Sequence, residues 1–187
     1  SNLGEKRIIT KDTIPMPTNF YGNSKLQAEQ GILPLQDETF SVVVLRPPMI
    51  YGPGSKGNYP KLAKLARKMP IFLDIDNERS MLFIDNLCEF IRLMIEHNEK
   101  GVFFPQNKET VKTSELVKQI AEVYGKKIFL IKGLNLVVRL CSTSIPLINK
   151  VFGSLVYKKE LSLYQGFEYN ICNMKETIRK TEESKLL

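Results

Sequence analysis

Between residues 41 and 58 the chain passes from a short, unbroken apolar run into a loop dense in proline and glycine. This switch limits the fold more than any other feature. Ser41 to Leu45 supplies consecutive β-branched residues, the pattern of a strand covered on both faces within a parallel sheet. Arg46 to Asn58 then carries Pro47, Pro48, Gly52, Pro53, Gly54 and Gly57, which reads as a loop. A strand covered on both faces needs helices around it, and helical patterns flank this one, at Asn19 to Leu35 and at Tyr59 to Met69. Ligands of open α/β sheets sit beyond the carboxyl ends of strands, so the loop after Leu45 is the first candidate for a site.

The same alternation continues. Asp85 reads as an N-cap, followed by Leu87, Phe90, Ile91, Met94 and Ile95 at the spacing of one helical face. Val102 to Phe104 reads as a strand. A helix begins at Thr113 with Leu116, Val117, Ile120, Ala121 and Tyr124 inward, and Gly125 ends it. A strand at Ile128 to Ile131, helical residues to about Phe152, a short strand near Phe167 to Ile171 and a helix from Met174 to Glu183 complete the reading. Residues 1–18 are expected to be irregular because of Asp12, Pro15 and Pro17. Strands alternating with helices predict an α/β fold.

Bulk properties exclude several functions. The 43% hydrophobic content of the 187 residues suffices for a core of one domain or a little more. The formal charge of +7 invites a nucleic-acid reading, but the basic residues are interleaved with acidic ones. A solvated surface with some pull on diphosphates is expected instead, and no nucleic-acid partner. Cys88, Cys141 and Cys172 are far apart, and His97 is the sole histidine, so no metal site is expected. His97 falls where a helix ends, suited to its C-terminal dipole. The N-terminus is polar, without a signal-peptide core, and reduced thiols in the cytoplasm are the expectation. Ile128 to Phe152 is interrupted by Lys132, Arg139, Pro146 and Lys150, short of the roughly 18 apolar residues a span needs. Helices buried on one side are expected there, an interfacial membrane helix being the alternative.

One constellation carries chemistry. Tyr21 and Lys25 stand four apart at the start of a helix, which puts phenol and ammonium on one face. A phenol with its ordinary pKa of about 10 is a poor base at neutral pH, and an adjacent cation favours the phenolate. Tyr21 could then exchange a proton with a substrate hydroxyl.

Residues 15–29, Pro-Met-Pro-Thr-Asn-Phe-Tyr-Gly-Asn-Ser-Lys-Leu-Gln-Ala-Glu, resemble the P-x-x-x-Y-G-x-S-K-x-x-x-E segment of extended short-chain dehydrogenases/reductases, the NAD-dependent epimerases and dehydratases. Val42 to Gly54 resembles that family's next strand and its L-R-x-x-x-x-Y-G-P loop, and Arg79 to Leu87 its R-[SD]-x-x-x-[VI]-x-[DN]-[LV] stretch. The resemblance covers roughly residues 12–100 and is looser from Val111 onward. It implies the C-terminal part of a Rossmann-like doubly wound parallel sheet plus a small α/β substrate-binding domain. Residues 1–58 would be what remains of the dinucleotide-binding domain, and 59–187 mainly the substrate portion, with 80–105 returning to the Rossmann-like part.

The resemblance also implies roles. Tyr21 would be the catalytic acid/base, and Lys25 its electrostatic partner and a ligand of the cofactor ribose. Pro48 would lie beside the nicotinamide of NAD, with NADP left open. Arg79 would grip the diphosphate of a nucleotide-diphosphate sugar. Met49 stands where several nucleotide-sugar enzymes have a substrate-touching Asn. Asn77 reads either as a polar pocket residue or as a turn former. An enzyme similar to UDP-glucose 4-epimerase and its relatives is implied, as a homodimer. The alternatives are a hydroxysteroid-type oxidoreductase of the same fold and a non-catalytic binding module.

The family's Gly-rich strand–turn–helix has no counterpart here. The chain is therefore expected to be a fragment that neither binds NAD normally nor turns over alone. It is expected to expose Leu26, Val43 and Leu45 and to self-associate.

Overall fold

The computed structural model describes residues 6–142, 146–164 and 166–185. In chain order the elements are β1 (Arg7–Ile9), α1 (Phe20–Ile32), β2 (Val43–Leu45), β3 (Met49–Tyr51), α2 (Asn58–Lys68), β4 (Ile71–Leu73), β5 (Met81–Phe83) and α3 (Ile84–Glu96). Then follow β6 (Gly101–Phe103), α4 (Thr113–Val123), β7 (Phe129–Ile131), α5 (Asn135–Ser142), α6 (Pro146–Phe152), β8 (Leu155–Tyr157) and α7 (Met174–Glu183). Among the described residues the strands form parallel pairs, β2 with β6, β3 with β5, β4 with β7 and β1 with β8. Parallel partners must be linked by crossovers, and here the crossovers carry the helices. The fold is α/β, as the strand–helix alternation predicts.

Two apolar clusters hold it. In one, Leu82, Leu87, Phe90, Leu93, Met94 and Tyr169 are buried, with Val43, Leu45, Ile50 and Phe103 packed on them. This cluster joins β2 and β6 to α3. The larger cluster joins β3, β4 and β5 to α2, α4 and α7 through Tyr51, Tyr59, Phe83, Leu116, Ile120 and Ile178. Each such large side chain contributes about 1.5–3 kcal/mol on burial.

Helices follow the periodicity closely. The α4 face of Leu116, Val117, Ile120 and Ala121 is buried, and Gly125 ends the helix at φ +66°. The last helix, α7, starts at a capping box in which Asn173 and Glu176 satisfy each other's backbone N–H groups. His97 is the C-cap of α3.

Elsewhere the structure departs from the expectations. The leading segment contains β1, and the loop after Leu45 contains β3. Both are three residues long, too short for periodicity to register, and exist because β8 and β5 pair with them. No strand forms at 167–171; the late strand is β8, and Tyr169 instead donates its hydroxyl to the Gln106 carbonyl at 2.8 Å. Asp85 lies inside the first turn of α3, whose N-cap is Phe83. Ile91 and Ile95 are exposed, while Leu93 is buried with Leu87, Phe90 and Met94. Leu26, Val43 and Leu45 are half-buried rather than exposed, because α1 and α3 lie over β2.

Candidate active site

Asn19 caps α1, its side chain accepting from the Gly22 N–H at 2.7 Å, and this fixes the first turn that carries Tyr21. Gly22 is required by proximity, since a Cβ there would lie 2.9 Å from the Pro17 Cβ. The proline-rich lead-in can therefore pack against the start of the helix. One turn on, the Lys25 ammonium stands 5.7 Å from the centroid of the Tyr21 ring. The spacing thus yields the shared face that the sequence suggests. Tyr21 is 71% exposed and α1 buries no residue.

The face opens on a cleft of about 890 Å³ between α1 and the end of β2, lined by Tyr21, Lys25, Glu29, Arg46 and Pro48 among others. Pro48 is buried and forms part of its floor. Arg46 is bound side-on to Glu29 through Nε and Nη2, with Nε to Oε2 at 3.1 Å, and stacks over the Phe104 ring at 5.7 Å. This bidentate pair ties α1 to the loop beyond β2. Local spacing assigns neither residue a role; their opposite charges at motif positions are the signal that the sequence offers.

The remaining candidates do not line this cleft. Met49 is half-buried in β3, opposite Met81 of β5. Asn77 is 3% exposed, and both ends of its amide serve Thr113: Nδ2 donates to Oγ1 at 2.8 Å and Oδ1 accepts the N–H at 3.0 Å. It therefore satisfies a free N–H at the start of α4. Arg79 is half-buried, its backbone exchanging 3.0 Å hydrogen bonds with Val111, and burial pushes its guanidinium pKa down. Tyr21, Lys25 and Pro48 are thus brought together, and Met49, Asn77 and Arg79 are not added to them.

A buried polar group below the loop was not read from sequence. Tyr51 shares a 2.5 Å hydrogen bond with Thr177 and accepts from Asn107 at 2.9 Å. Asn107 in turn accepts from the Phe83 N–H and from Asn86. These residues come from separate parts of the chain, so no local pattern announces them. Among the described residues no group of three His, Cys, Asp or Glu side chains could hold a metal. No helix among them is long and apolar enough to cross a membrane.

Parallel strands linked through helices, with a Tyr–Lys helix beside the end of a covered strand, define a Rossmann-type architecture. The chain belongs to the NAD dependent epimerase/dehydratase family, whose profile matches residues 3–104. It is 30% identical over 171 residues to the UDP-glucose 4-epimerase of Vibrio cholerae, a match covering 87% of this chain and 48% of that protein. It is 32% identical over 125 residues to the 2-alkyl-3-oxoalkanoate reductase of Stenotrophomonas maltophilia (strain K279a), covering 61% of this chain and 38% of that one. The chain thus spans about half the length of these curated relatives, or less. The UDP-glucuronic acid 4-epimerase of Bacillus cereus, solved in complex with NAD, superposes with a TM-score of 0.67 at 16% identity, covering 98% of this chain and 57% of that one. That likeness is one of fold.

Proposed function

We propose that the chain forms the substrate-side portion of an NAD-dependent epimerase or dehydratase acting on a nucleotide-diphosphate sugar, with Tyr21 as acid/base. The observation that carries this reading is the Tyr21–Lys25 pair facing one cleft with Pro48 at the end of β2. The residues fit the nicotinamide-ribose end of the cofactor: an ammonium with donors to spare, a phenol, and a buried proline that excludes water. NAD, when bound, supplies the hydride acceptor. Tyr21 takes the proton from a sugar hydroxyl, and the Lys25 charge stabilises the phenolate that does so. Lys25 also holds ribose hydroxyls, and Arg79 takes the substrate diphosphate. Residues 1–58 belong with the dinucleotide domain and 59–187 mainly with the substrate domain, 80–105 rejoining the first; the apolar cluster that joins β2 and β6 to α3 supports this division. The assembled enzyme is a cytoplasmic homodimer.

The dinucleotide pyrophosphate is received in such enzymes by a Gly-rich turn at a helix N-terminus. The sequence of this chain contains none, so the chain alone does not bind NAD normally and does not turn over. The test is the activity of the native polypeptide on UDP-glucose with Tyr21→Phe. Loss of about 10²–10⁴-fold in kcat with little change in KM is expected. Unchanged kcat removes Tyr21 from the chemistry.

The likeness to an oxoalkanoate reductase favours a second reading, in which the substrate is an apolar alcohol or ketone. Arg79→Ala separates the two: it raises KM for UDP-glucose if Arg79 binds the diphosphate and leaves it unchanged otherwise.

A further inference from the structure

The chain's charge is not mixed as evenly as its overall balance implies. Residues 39–73 and 123–159 contain no Asp or Glu, yet carry 13 of the 27 Lys and Arg residues. The remaining chain, which holds all 20 acidic residues, is net negative. The β4–β7 ladder joins these two basic stretches, with Ile71 opposite Phe129 and Leu73 opposite Ile131.

The outward side of this ladder is apolar. Phe72 faces the core, whereas Ile71, Phe129 and Ile131 remain 45%, 71% and 41% exposed. A solvated sheet face normally carries polar side chains, and a clustered apolar face rimmed by charge marks a docking surface. The rim here is mainly basic. Lys68 ends α2, and Lys126 donates to the Arg67 carbonyl at 2.5 Å, so Lys68, Lys126 and Lys127 gather where both strands begin. Lys132 stands exposed where β7 ends. α5 starts beside the end of β4, where Asn135 accepts from the Asp76 N–H at 3.0 Å, and adds Leu136 and Leu140, exposed four residues apart. The acidic groups at that end are already engaged: Asp74 accepts from Ser114 and Asp76 pairs with Lys112.

We propose that this face docks on a membrane surface bearing anionic phospholipid. Phe129, Ile71 and Ile131 enter the boundary between headgroups and acyl chains, while Lys68, Lys126, Lys127 and Lys132 meet lipid phosphates. The chemistry favours lipid over a protein partner, because lysine is depleted at protein–protein interfaces whereas a lysine rim suits an anionic leaflet. The apolar centre likewise does not suit a nucleic-acid backbone. Binding is peripheral.

Co-sedimentation with phosphatidylcholine vesicles, made with and without phosphatidylglycerol, tests this directly and needs neither NAD nor substrate. The chain should partition onto vesicles containing phosphatidylglycerol and be released by salt. The pair Lys127→Glu and Lys132→Glu should weaken partition about ten-fold or more. Phe129→Ser, polar at an exposed position, should also lower it, with unchanged thermal melting in both variants. The pair Lys175→Glu and Arg179→Glu, on exposed positions of α7, should leave it unaltered. Partition that ignores phosphatidylglycerol, or is the same in all variants, overturns the proposal. So does a Phe129→Ser variant that abolishes self-association without affecting vesicle binding, since a second copy would then cover the face.

Discussion

At Tyr51 a phenol with no exposed surface is held between Thr177 and Asn107, and burial pushes its pKa up to about 12. Its neutral form is therefore favoured in the folded state. In the unfolded chain it loses its proton near the ordinary value of about 10. Between pH 10 and 12 the unfolded state binds fewer protons than the folded one, so stability falls as pH rises through that window. The expected loss from this group is roughly 2–3 kcal/mol, fully incurred above the folded pKa. Denaturant titrations across that range, followed alongside tyrosinate absorbance, check it. Tyr51→Phe should cost about 1–2 kcal/mol at neutral pH, because Asn107 and Thr177 lose a partner, yet show a shallower alkaline decline. An equal decline in both proteins would assign the effect to other tyrosines. Residue roles differ in how far local pattern shows them. Tyr21 and Lys25 were legible because their chemistry needs only helical spacing. The surroundings of Tyr51 were not, because Thr177 is brought to it from the far end of the chain.

The turn after β3 shows how one backbone position fixes two elements. Gly52 sits at φ +154°, and a Cβ there would fall 2.4 Å from the Ile84 Cγ2 at the start of α3. Strain and overlap act together, so Gly52→Ala should destabilise by roughly 2–4 kcal/mol. Trimming the obstacle with Ile84→Ala in the same chain should recover the steric part and leave the backbone part. A melting series of the two single variants and the double one measures this; full recovery would show that the backbone conformation carries no strain. Helices α2, α3, α4 and α7 were visible in advance, since each is long enough for its apolar stripe to repeat. The short strands β1, β3 and β8 were not, as three residues hold less than two periods and their state depends on a partner. The same limit explains why Ile91 and Ile95 share the helical face in sequence yet stay exposed: periodicity gives a face, and packing decides which edge of that face is covered.

Across the whole molecule the burial is uneven. α4 buries six of its eleven residues, whereas α1 buries none of its thirteen. Among the described residues, α1 is tied to the rest through the Glu29–Arg46 pair and partial cover of the β2 face. Hydrogen exchange should therefore rank them clearly, with α1 amides exchanging about 100-fold faster than those of α4 or more. Protection of α1 equal to that of α4 would mean that α1 packs more tightly than this structure shows. The proposed site is thus mounted on the least anchored long helix, and the membrane-docking face on the better-packed half. The sequence by itself determined the α/β class, the long helices, the family and the Tyr–Lys pair, because each depends on spacing along the chain. Which strands pair, where Asn77 and Arg79 lie, and which apolar side of the β4–β7 ladder stays open were decided by the tertiary structure alone. Those outcomes depend on contacts between residues tens of positions apart, whose energies no local window contains.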